Sequence, residues 1–145
     1  MKESTKFSDA IHILAFIKIY SSIKLTSQII ASSIGTSPVV VRRLMSQLSE
    51  AKLIYTTKGT ANPKLAKKLE SISLLDIMRA VEERSLFNVD NKTNPDCIVG
   101  GNIQEVLKKK YAEVEEAMQT KLASITLQDI VDDILIKQAE RTGDC

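Results

Sequence analysis

The chain has 145 residues, enough for one compact domain with or without an arm for pairing, and its 4% aromatic content without Trp requires an aliphatic core. A net charge of +2 divides into +7 over residues 1–70, with eleven Lys and Arg against four Asp and Glu, and −5 over residues 71–145, with nine against fourteen. Two cysteines, Cys97 and Cys145, exclude a disulfide framework or a cysteine-only metal site, and five Gly with three Pro disfavour a β-sandwich.

The first predicted element is an amphipathic helix from Phe7 to Tyr20, with Ile11, Leu14, Ala15 and Ile19 on its apolar side. Its apolar run is broken by His12 and Lys18 and has no cleavage site, so neither a membrane span nor a signal peptide is expected there. Thr26 caps a second, short helix that runs through Ile34 and ends at Gly35. Ser37 caps a third, with Pro38 at the first helical position, where its missing N–H costs nothing, and this helix reaches about Ala51. Leu53 to Lys58 reads as a strand, Gly59 to Pro63 as a turn and Lys64 to Lys67 as a return strand. Ser73-Leu74-Leu75-Asp76 is a capping-box pattern that opens a helix to about Glu83. Residues 88–101 are polar and loop-like. A long helix follows from Asn102 to Ser124, striped by Ile103, Val106, Leu107, Tyr111, Val114, Met118 and Leu122. Thr126 and Asp129 then cap a last helix to about Gln138.

Ser27 to Leu48 has the spacing of a helix-turn-helix. Two short helices that cross steeply need a small residue where they touch, and Ala31 supplies it. Four residues on, Gly35 supplies a turn that favours positive φ. Ile30 and Ile34 from the first helix and Val41, Leu44 and Leu48 from the second close the wedge, while Thr36 is more polar than that turn usually carries. At about 100° per residue, Val39, Arg42, Arg43 and Ser46 then point outward. Arg offers a fork to guanine or to phosphate, Pro38, Val39 and Val40 offer apolar contact to a thymine methyl, and Ser37 can donate to phosphate. No acidic residue occurs between Asp9 and Glu50, so DNA contact competes with a merely solvated face for these arginines. Lys58 and Lys64, with Lys67 and Lys68, flank the hairpin turn as a basic wing would, the alternative being lysines that protect a sheet edge.

These residues resemble the Rrf-two (Rrf2) family of winged-helix transcriptional regulators, the IscR/CymR group, and within it the YwnA-like branch. The resemblance spans nearly the whole chain and rests on TSPVVVRRLMSQLSEAKLI, ISLLDIMRAVE, NPDCIVGGNIQ and LASITLQDIVDDI. It implies a mainly α fold with a small β-hairpin: a winged helix-turn-helix over residues 1–84, a sensor or linker loop over 85–101, and a dimerisation helix with a C-terminal helix over 102–145. It further implies a homodimer paired through the Asn102–Ser124 helix, a palindromic operator in double-stranded DNA, and repression. Two departures stand out. The wing reads GTANPKLA where the family carries a glycine-rich tip ending in an aromatic residue. Cluster-binding members carry three cysteines between wing and long helix, whereas this chain has Cys97 alone, and Asn91 and Ile103 cannot replace the missing thiols.

No cofactor is therefore expected, and no metal site. Cys97 is a candidate thiol sensor, although the neighbouring Asp96 is expected to raise its pKa, and an inert small hydrophobe is the competing role. His12 is a second sensor candidate because some members use a histidine from the first helix; the competing role is packing. The expectation is a cytoplasmic, nucleoid-associated DNA-binding regulator. The alternative is a winged-helix protein-interaction module, or a redox sensor without direct operator binding. One His, no nucleophile signature and no glycine-rich phosphate loop speak against an enzyme.

Overall fold

The computed structural model describes residues 4–56, 62–82 and 85–142. Its first helix, α1 (Lys6–Ile19), buries Ala10, Ile13, Leu14, Ala15 and Ile17 and packs against most of the other elements. This differs from the expected one-sided stripe, in which Ile11 and Ile19 took part; both are only half-buried. A helix with neighbours on several sides needs apolar surface almost all round, and its periodicity fades accordingly.

The next two helices are capped as their sequences require. In α2 (Ser27–Ile34) the Thr26 hydroxyl accepts the Ile29 N–H at 3.2 Å, and Gly35 ends the helix at φ +83°. In α3 (Pro38–Glu50) the Ser37 hydroxyl accepts the Val40 N–H at 3.4 Å. Lys52, at φ +62°, turns the chain out of α3, with the Leu53 N–H returning to the Leu48 carbonyl.

A two-stranded antiparallel sheet follows: β1 (Ile54–Tyr55) pairs with β2 (Lys64–Leu65) in the register Ile54 to Leu65 and Tyr55 to Lys64. The strands are shorter than expected, and Lys58 with the hairpin tip lies outside the described residues. A 3-10 turn, Leu69–Ser71, leads into α4 (Leu74–Val81), whose capping box between Ser73 and Asp76 is complete on both sides.

The C-terminal half is a long helix, α5 (Ile103–Ser124), which has no buried residue, and α6 (Leu127–Thr142). Thr126 and Asp129 cap α6 reciprocally. Backbone bonds from Leu74 to Ile125 and from Leu127 to Ile72 tie this corner to the start of α4. Leu127 and Val131 join the same core as Ile13, Ile30, Leu44 and Leu48, so one aliphatic core crosses the expected boundary at residue 102. Among the described residues no helix is long and apolar enough to cross a membrane.

Candidate nucleic-acid interface

The packing of α2 on α3 fixes which side of α3 faces out. Ala31 is buried at the crossing, as are Ile30, Val41, Leu44 and Leu48. Gly35 and Thr36 both donate their N–H groups to the Ala31 carbonyl, which closes α2 tightly enough for α3 to start three residues later. With its inner face committed, α3 presents Val39, Arg42, Arg43 and Ser46 to solvent, and Val39 is 56% exposed. Ser37 lies at the exposed N-terminus of the same helix. Pro38 and Val40 are half-buried, and Val40 packs against the core, so Val39 is the apolar side chain of this group that is free to meet an outside partner.

The two arginines are not equivalent. Arg42 donates from Nη1 to the Ser27 hydroxyl at 3.1 Å, which holds its guanidinium against the start of α2. Arg43 makes no side-chain hydrogen bond or ion pair among the described residues. A hollow of about 360 Å³ runs between α3 and β1, and Ser27, Arg42, Ser46 and Thr56 line it. The sequence did not mark Ser27 as a partner for Arg42, because the pairing depends on how two helices cross rather than on spacing along one.

The wing is braced against the α1–α2 connection. Asn62 accepts the Leu25 N–H at 3.0 Å, and Lys64 donates to the Ser21 carbonyl at 3.3 Å. Lys64 is thus held at the base of the wing, on a different side from the arginines, while Lys58 lies outside the described residues.

The two sensor candidates sit apart in character. His12 is half-buried, with Nε2 at 2.7 Å from the Ser33 hydroxyl, so it links α1 to α2. Cys97 is exposed at the tip of a tight turn. There the Cys97 N–H donates to Asn94, and the Cys97 carbonyl accepts from Gly101. A Cβ on Gly100 or Gly101 would collide with the backbone of Asn94 or Pro95, so the turn requires both glycines. The backbone N–H groups of Gly100 and then Val99 lower the Cys97 pKa by bonding its thiolate. This corrects the expectation that Asp96 would raise it. The direction is set by amides that the folded turn aims at sulfur, not by the neighbour in sequence.

The donors around Cys97 do not fit an iron–sulfur cluster. Such clusters are held chiefly by several thiolates, and this loop supplies one. Among the described residues no three His, Cys, Asp or Glu side chains gather as a metal site.

Comparison with known proteins gives a consistent result. The Rrf2 family model, described as an iron-dependent transcriptional regulator, matches residues 3–133. The chain is 39% identical over 130 residues to YwnA of Bacillus subtilis, named as an HTH-type transcriptional regulator, covering 89% of this chain and 96% of YwnA. A crystal structure described as that of a DNA-binding protein superposes with a TM-score of 0.70 at 38% identity, over 86% of this chain and 97% of the other. The fold is also that of CymR, the global cysteine regulator of B. subtilis, with a TM-score of 0.66 at 22% identity over 91% and 97% of the two chains.

Proposed function

The chain belongs to the Rrf2 family of transcriptional regulators, and we propose that it binds an operator in duplex DNA by laying α3 in the major groove. The observation that carries this reading is the division of α3: Val41, Leu44 and Leu48 are buried, while Val39, Arg42, Arg43 and Ser46 form one exposed, cation-bearing face with no acidic residue among them. A helix of this kind at the end of a helix-turn-helix reads base edges from its N-terminal turns. Ser37 and the basic wing, with Lys64 at its base and Lys58 six residues earlier in the sequence, contribute backbone contacts that set register. The relatives are regulators rather than enzymes.

The regulator works as a homodimer on a palindromic site and represses, in the cytoplasm at the nucleoid. Pairing is supported by α5, a 22-residue helix without one buried side chain. Control runs without a conventional iron–sulfur cluster, because Cys97 is the single thiol of its loop, and the lowered pKa of that thiol favours a redox or electrophile signal.

Selection of bound duplexes from a random pool, with and without an oxidant, tests the reading. A palindromic consensus is expected, with recovery reduced by the oxidant. Recovery of no duplex above background would overturn the assignment of α3 as a reader.

A further inference from the structure

A second basic surface lies on the face of the wing opposite the arginines. Tyr55 and Thr56 are adjacent, yet Thr56 lines the hollow shared with Arg42, whereas Tyr55 lines a hollow of about 460 Å³ on the other side. Four lysines surround that second hollow: Lys18 from the end of α1, Lys64 from β2, and Lys67 and Lys68 from the segment after it. Among the described residues no Asp or Glu lines it. Lys18, Lys67 and Lys68 are exposed, and the ion pairs found among the described residues, Lys110–Glu113 and Lys137–Glu140, lie elsewhere.

Four ammonium groups around one hollow repel each other, and their mutual repulsion is relieved by an anion that approaches from outside. Protection of a sheet edge accounts for Lys64 alone. Lys18 is helical, and Lys67 and Lys68 follow the strand, so none of these three guards an edge. The wing therefore stands as a wall between two cationic faces, with the arginine face on the side of α3. A duplex seated on α3, as proposed above, and crossed by the wing would continue past it, and its phosphates would be the polyanion nearest to hand.

We propose that Lys18, Lys64, Lys67 and Lys68 form a second docking surface for the DNA backbone, extending the footprint beyond the reader helix and the wing tip. The proposal rests on the DNA-binding reading above. It concerns affinity and footprint length rather than sequence choice, because ammonium groups that meet phosphates carry no base information.

The test uses the full chain with Lys18→Ala, Lys67→Ala and Lys68→Ala combined, leaving Lys64 to hold the Ser21 carbonyl. Binding is measured across a salt series on a selected duplex and on an unrelated one. The slope of log affinity against log salt should fall in magnitude by about 0.9 for each phosphate that is no longer neutralised, roughly 3 in all, with both duplexes weakened alike. The matching Lys→Arg variant should keep the wild-type slope, which separates removal of charge from failure to fold. An unchanged slope in the alanine variant, while the wild type binds DNA, overturns the proposal and leaves the reader helix standing. An unchanged DNA slope together with weakened binding to a polyglutamate probe assigns the face to an acidic protein and overturns it as well. If the wild type binds neither duplex, the DNA-binding reading fails first and takes this proposal with it.

Discussion

Arg42 and Arg43 are neighbours in sequence with different surroundings, and the difference predicts different roles. Arg42 is tethered to Ser27, so its guanidinium sits between α2 and α3, where a phosphate would lie against both helices. Arg43 is untethered among the described residues and can extend to a base edge. Arg43→Ala should cost about 1–3 kcal/mol on the selected site and broaden the sequence preference at one position. Arg42→Ala should weaken selected and unrelated duplexes alike and reduce the salt slope by about 1. Equilibrium binding to a panel of single-base variants decides the matter, and the opposite assignment of the two phenotypes would exchange the roles. Cys97 makes a residue-scale prediction of its own. Amides of Gly100 and Val99 favour the thiolate, so the pH profile for alkylation of Cys97 should have its midpoint below that of an ordinary thiol. Gly100→Ala would push a methyl group into the Asn94 backbone, open the turn and return the midpoint upward. A wild-type midpoint at or above the ordinary value would remove the amides as the cause.

At the scale of elements, two turns with positive φ make predictions of opposite sign. Gly35 sits at φ +83° with open space where a Cβ would be, so Gly35→Ala suffers backbone strain alone, about 1–2 kcal/mol. Lys52 occupies the same region at φ +62° with a side chain already present. Lys52→Gly should therefore raise stability, by a net of about 0.5–1 kcal/mol after the entropy cost of glycine. Thermal unfolding of the two variants should bracket the wild type, and a Lys52→Gly protein that melts lower would contradict the strain argument. The same pair of turns separates what is written locally in the sequence from what is not. Thr26, Ser37, the Ser73–Asp76 box and Thr126 are caps whose chemistry is local, and each was legible. Gly35 was legible for the same reason, whereas Lys52 was not, because lysine carries no mark of a left-handed turn. The central position of α1 left only a weak periodic trace, and the last turn of α6 contains no apolar residue after Ala139 to mark it. The amides around Cys97 and the Ser27 hydroxyl on Arg42 depend on how separate segments meet, so no spacing rule could have found them.

For the whole molecule, the decisive feature is surface left without a partner. Val106 and Val114 on α5 are 51% and 47% exposed, two turns apart, while Ile103, Leu107, Tyr111, Met118 and Leu122 are only half covered. Part of that cover comes from the loop before α5, where Phe87 stacks on Tyr111 at 5.5 Å and Ser85 donates to Glu115. A long helix whose apolar residues are this open is stabilised by burying them against something else, and a second copy of the helix is the self-complementary choice. Val106→Asp with Val114→Asp should then convert a dimer into a species of 16.1 kDa in sedimentation equilibrium. In the proposed dimer each protomer would carry one reader, so pairing would also fix the distance between readers. Footprinting of the wild type should protect two half-sites separated by about one helical turn of DNA, 34–36 Å, or a multiple of it. The double-aspartate variant should lose that paired footprint while keeping weak, salt-sensitive binding through a single reader, because α2, α3 and the wing take their order from α1 and α4 rather than from α5. A dimeric variant, or a wild-type footprint on one half-site alone, would sever the link between α5 and operator symmetry.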